Sequence, residues 1–228
     1  MRKSNRPALP VRILTMALLA VAIQIPPIFE LIVKGQLAKN FSLAMWCLVL
    51  ELASFAVIIW VASYLFKKYR RWTPSNQNMR KRLAWLFGGY IVLVLGQGSL
   101  AFLNQLLYHQ NQTTNNQALA SLMGNSKLMM VLVAGSAIFL SPVAEELIFR
   151  GVLMNLFFKN DAFWAPILLS GLVFTLEHAS TTPVSYLIYF YMGAVFAFVY
   201  RKTGSIGNAI ALHTLNNLVA TAALLLSL

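Results

Sequence analysis

Residues 13–33, 41–66 and 83–108 are three long apolar runs, each at or above the roughly 20 residues that an α-helix needs to cross about 30 Å of hydrocarbon. In lipid every backbone N–H and C=O must find a partner inside the protein, so runs of this kind fold as helices. Further apolar regions cover 127–158, 163–179, 184–200 and 205–228. The expected fold is all-α, a polytopic transmembrane helical bundle of seven spans. It becomes eight if the fourth region, interrupted by Pro142 and several charged residues, divides in two. Composition agrees: 59% of residues are hydrophobic, 11% are charged, and mean hydropathy is +0.69.

The net charge of +12 comes from 18 Lys and Arg against 6 Asp and Glu. The basic residues lie in short clusters between apolar runs and not over one folded face, which excludes a nucleic-acid partner and leaves membrane lipids. Residues 1–12 and the loop carrying Lys67, Lys68, Arg70, Arg71, Arg80, Lys81 and Arg82 are the densest positive segments. Both are expected on the cytoplasmic side, so the N-terminus is cytoplasmic and the uncharged stretch 109–117 lies outside. The first run is read as a retained span and not a cleaved signal, because it is long and carries Pro26 and Pro27. The proline pair should bend its helix near the outer end and leave Glu30 at the interface. The single Cys47 can form neither an internal disulfide nor a multi-cysteine metal site.

Acidic residues within apolar segments are costly and therefore informative. Glu145 and Glu146 are adjacent, and Arg150 follows Glu146 by four positions, so one helical face carries both members of a neutralising pair. Phe174 and His178 share a face of a later segment, as do His213 and Asn217 of the last one. A structural role for each alone is ordinary: an ion pair that fixes packing, a hydrogen-bonded histidine. Together they supply a carboxylate to take a proton from water, a histidine to assist it, and a second histidine with an amide to stabilise an oxyanion. Glu51, in the middle of the second run, is either a hydrogen-bonded buried acid or part of a water-filled cavity. Glu177 is expected to lie at the interface or face water, with a supporting role beside His178 as the alternative.

Glu145, Glu146 and Arg150, then Phe174 with His178, then His213 with Asn217 follow the order and spacing of three motifs of the CPBP family, which the chain resembles. These are the CAAX-processing and bacteriocin-processing intramembrane proteases, also called the Abi family, and include the prenyl-protein endopeptidase Rce1. The resemblance implies an N-terminal region of three spans over 1–125, and a protease domain over 126–228 with a four-helix catalytic core. It implies that Glu145 is the general base, assisted by His178, that His213 and Asn217 stabilise the oxyanion, and that Glu146 and Arg150 orient and balance charge. Phe174 positions the His178 segment. It leaves two accounts of the water nucleophile: zinc held by Glu145, His178 and His213, or a metal-free glutamate mechanism. The expected function is an intramembrane endopeptidase of a bacterial cell membrane, cutting a membrane-associated peptide or prenylated protein near the cytoplasmic side, with a role in bacteriocin maturation or immunity. The alternatives are a non-catalytic binding or immunity protein and, less favoured, a small transporter.

Overall fold

The computed structural model describes residues 6–72, 78–124 and 126–227, and every regular element among them is helical. The first apolar run forms two helices, α1 (Leu9–Ile23) and α2 (Ile25–Gln36), with the break at Gln24. Pro26 and Pro27 cause it: neither has an N–H, and both sit in the first turn of α2, where intrahelical donors are not needed. α3 (Phe41–Tyr69) starts at Asn40, whose side chain accepts from the Leu43 amide, and α4 (Met79–Tyr108) starts at Asn78, which accepts from the Lys81 amide. The short α5 (Thr114–Met123) lies across the end of the bundle reached by α4 and is capped by Thr113.

The fourth apolar region is one continuous helical course, α6 (Lys127–Phe157). Two stretches within it, Ser136–Leu140 and Leu147–Leu153, are wound as π-helix, and they bracket the α-helical turn Ser141–Glu146. Pro142 accounts for the first. In an i→i+5 ladder the carbonyl that its missing N–H leaves without a donor is that of Ala137, and the Asn217 side chain donates to that oxygen at 2.9 Å. The proline is thus accommodated by wider winding and an amide from another helix.

α7 (Trp164–Leu176) follows, then α8 (Pro183–Thr203), which begins with a reciprocal cap between Thr182 and Ser185, and α9 (Ile206–Leu226). Among the described residues six helical segments are long and apolar enough to cross a membrane: α1 with α2, α3, α4, α6, α8 and α9. The expected all-α, multi-spanning bundle is present, and by this measure its long apolar helices number six against the seven to eight spans expected. α7 has 13 residues, about 20 Å of helix, which falls short of the hydrocarbon thickness. Equally, α6 is one course and not two spans.

α7 and α8 approach closely through glycine. A Cβ on Gly193 would lie 2.9 Å from the Gly171 Cα, and one on Gly171 would lie 3.0 Å from the Phe190 carbonyl oxygen. Small residues at such a crossing let two backbones pack directly, the usual route to helix association in lipid. The main core runs through both halves of the chain, from Leu19 and Phe66 to Phe149, Phe174, Phe196 and Leu212. Outward faces carry Leu95, Phe102, Val131 and Trp60, all exposed as lipid contact requires.

Hydrogen bonds sort the loops to two ends. At one, Arg6 and Arg12 reach carbonyls of 156–158, the Arg71 amide meets Asn155, Asn208 meets the Arg82 carbonyl, and Arg201 meets those of Asn160 and Ala162. At the other, Asn104, Gln110, Thr113 and Thr114 bond to Thr181, Thr182 and Tyr189. The basic segments therefore gather at one end, as the charge pattern required.

Candidate active site

Glu146 and Arg150 lie on the inner half of α6, both without solvent exposure. Glu146 Oε1 accepts from Arg150 Nη1 at 2.8 Å and from His213 Nδ1 at 2.9 Å. Arg150 Nη2 donates to the Gly193 carbonyl at 2.7 Å. Its guanidinium lies 4.7 Å from the centre of the Phe174 ring and 5.4 Å from that of Phe196. The second π-wound stretch carries Arg150, and Asn155 closes that wider turn by donating to the Gly151 carbonyl at 2.7 Å. Arg150 thereby ties α6 to α8 and, through Glu146, to α9.

Glu145 points elsewhere, as its offset round the helix predicts. Its Oε1 accepts a hydrogen bond from Ser141, one turn earlier, while its Oε2 is buried with no hydrogen-bond partner. It lines a cavity of about 520 Å³ together with His178, His213, Asn216, Asn217 and Tyr189. Glu146 and Arg150 do not line it. The adjacent glutamates are thus divided: Glu146 is anchored in the packing beneath the cavity, and Glu145 faces into it.

Both histidines are oriented through Nδ1. His178 Nδ1 lies 2.8 Å from the Phe174 carbonyl oxygen, which can only accept, so Nδ1 carries a proton, and in the neutral ring Nε2 is an acceptor. Its ring stacks on Tyr189 at 4.5 Å. His213 Nδ1 faces the Glu146 carboxylate, and its ring stacks on Phe196 at 4.6 Å. Phe174, fully buried, touches the two histidine rings and the arginine at once. Asn217 is close to His213 but spends one N–H on the Ala137 carbonyl, and its oxygen accepts from Asn216 at 3.3 Å.

The zinc alternative needs Glu145, His178 and His213 to converge on one point at about 2 Å from the metal. Among the described residues no group of three or more His, Cys, Asp or Glu side chains is placed to hold a metal ion. The ligand set does not fit as arranged.

Several groups at the site carried no clear signal in the sequence. Ser141 is four residues before Glu145, a spacing that marks it in retrospect, but Tyr189 and Asn216 are brought in only by packing. Glu30 is buried within the protein. It lies against Glu51, whose Oε1 accepts from Ser136 at 2.7 Å. Glu51 is therefore a hydrogen-bonded buried acid, with its partners on α2 and α6.

The cavity rises from Glu145 away from the basic end and reaches the surface at Asn111, Gln112 and Ala118. Its mouth lies at the end opposite the densest basic segments.

Residues 126–219 match the family described as "Type II CAAX prenyl endopeptidase Rce1-like". The chain is also 22% identical over 174 residues, 76% of its own length and 68% of the relative's, to the "Putative membrane peptidase YdiL" of Bacillus subtilis (strain 168). No solved structure matches it. The bacterial relative and the six apolar helices agree with a multi-pass protein of a bacterial membrane. The matched region holds all three motifs on helices that meet at one cavity, and over residues 126–219 the chain is similar to the Rce1-like CAAX prenyl endopeptidases.

Proposed function

We propose that this protein is an intramembrane endopeptidase that hydrolyses a peptide bond of a membrane-associated peptide or lipidated protein with a glutamate-activated water. The observation that carries the reading is Glu145 Oε2, a buried acceptor without a partner beside two histidines whose Nδ1 atoms are already engaged. A water bound between Glu145 and His178 Nε2 is held by two acceptors, so both of its protons are directed and its lone pair is free to attack. As the water oxygen bonds to the substrate carbonyl carbon, one proton passes to Glu145 and the carbonyl oxygen becomes an oxyanion. His213 in its protonated form donates to that oxyanion through Nε2. The Glu146 carboxylate, fixed by Arg150, holds that ring in place through Nδ1. The remaining N–H of Asn217 is the second donor. When the C–N bond breaks, the proton on Glu145 passes to the leaving nitrogen. In this reading the three spans of 1–125 frame the 126–228 region and close one wall of the cavity.

The test uses the wild-type chain and Glu145→Gln, His178→Ala and His213→Ala variants, purified, checked for folding and reconstituted in lipid. Cleavage of a prenylated reporter and of a membrane-peptide library is followed by mass spectrometry, with and without a strong chelator. Wild type is expected to cut, with or without chelator, and Glu145→Gln to lose about 10²- to 10⁴-fold in kcat, the usual contribution of a general base. Cleavage by folded Glu145→Gln at the wild-type rate overturns the assignment. No cleavage by folded wild type favours a binding or immunity protein, and loss of activity on chelation favours a metal mechanism.

A further inference from the structure

The cavity that leads to Glu145 carries the opposite charge to the chain. The protein has 18 Lys and Arg against 6 Asp and Glu, yet among the described residues no Lys or Arg lines the cavity, whereas Glu30, Glu145 and Glu177 do. Glu30 is buried against Glu51, and Glu145 is the base at the floor. Glu177 stands between floor and mouth. It follows the last turn of α7, directly before His178, and is half-buried. Its Oε2 accepts from the Gln24 side chain at 2.6 Å, at the break between α1 and α2. An amide satisfies a hydrogen bond but supplies no counter-charge, and no Lys or Arg of the described residues forms an ion pair with Glu177. Gln97, Asn115 and Asn116 on the wall can bond an extended backbone without adding charge. His178 and His213 also line the wall, and both are engaged at the floor.

We infer, resting on the peptidase reading above, that the substrate is a peptide with a Lys or Arg side chain close to the scissile bond, and that Glu177 is the specificity-determining residue that receives it. A carboxylate in a partly desolvated passage attracts a cation more strongly than one in open water. The apolar stem of Lys or Arg suits a wall that also presents Ile188 and Met192. An acidic residue at the same substrate position meets Glu177 and Glu145 together and is repelled, so the site discriminates by repulsion as well as attraction.

The test is a matched reporter series in lipid, one peptide carrying Lys, norleucine or Glu at each position flanking the cut, assayed with wild type, Glu177→Gln and Glu177→Lys. For wild type, kcat/KM is expected to fall by about tenfold from Lys to norleucine and further to Glu, chiefly through KM. Glu177→Gln removes the preference, and Glu177→Lys reverses it toward Glu. The wild-type series stands alone if a variant does not fold. Equal cleavage of the three peptides by wild type overturns this inference and leaves the peptidase reading intact. An unchanged preference in folded Glu177→Lys overturns the role of Glu177. No cleavage of any peptide overturns the peptidase reading itself.

Discussion

The division of labour between Glu145 and Glu146 is decided by a single residue step along α6. One step turns the side chain by about 100° in an α-helix, enough to send Glu146 into the packing with Arg150 and His213 while Glu145 stays on the cavity wall. Arg150 is the residue on which this part of the structure most depends. Replacing it with Met leaves the Glu146 carboxylate buried with His213 alone, and removing one partner of a buried pair costs about 3–5 kcal/mol. Arg150→Met is expected to lower the unfolding midpoint in detergent sharply, and a midpoint equal to wild type contradicts the pairing. Asn217 has a structural duty besides its proposed donor role. Asn217→Leu orphans the Ala137 carbonyl and is expected to destabilise by about 1–3 kcal/mol. Its cost should shrink in a Pro142→Ala background, where a backbone N–H is restored. A double-mutant cycle measures that coupling, and full additivity would remove the link between the two residues.

At the level of the helix, the two π-wound stretches of α6 adapt a uniform apolar segment to a site. They begin at Ser136 and Leu147, and between them lies the one turn that carries both glutamates. Wider turns of this kind leave backbone carbonyls without regular partners, and Asn155 and Asn217 supply the missing donors from side chains. The α7–α8 crossing works by close contact instead. Gly193→Ala places a methyl group 2.9 Å from the Gly171 Cα and 3.0 Å from the Phe174 Cβ, so α7 must move, and Phe174 and His178 with it. Overpacking of this sort costs about 1–3 kcal/mol. Activity is expected to fall more than stability, because His178 is displaced. Measured kcat and unfolding midpoint together check this, and wild-type kcat in the variant contradicts the tight crossing.

Over the whole molecule, charge sets orientation and packing sets access. The basic segments gather at one end, which the positive-inside rule assigns to the cytoplasm. The cavity reaches the surface at the other. Ala118 lies on its exposed rim, and the chain's own cysteine, Cys47, is buried. An Ala118→Cys protein in intact cells is therefore expected to react with a membrane-impermeant maleimide added outside. Labelling only after the membrane is opened would place the mouth at the cytoplasmic face.

Helical class, the long spans, the gathering of basic loops and the three polar motifs were all legible in the residues, because each depends on local order along the chain. Run length against bilayer thickness identifies helices, and i, i+4 spacing places Glu146 with Arg150 and Phe174 with His178. Other features have no local signature. The shortness of α7 was hidden because the fifth region was read through to 179, past the polar pair Glu177 and His178 that follows the helix end at Leu176. The contact of Glu30 with Glu51 was hidden because a proline pair says where a helix breaks, not what packs on the next turn. The contacts of Tyr189, Asn216 and Gln24 with the site join positions far apart in sequence, and so does the line of the cavity. The amino-acid order alone determined that this chain enters a membrane and which side chains it carries there at a cost. Only the tertiary structure decided which of them meet, and toward which end the cavity opens, because both depend on how helices stack and not on how any one of them is wound.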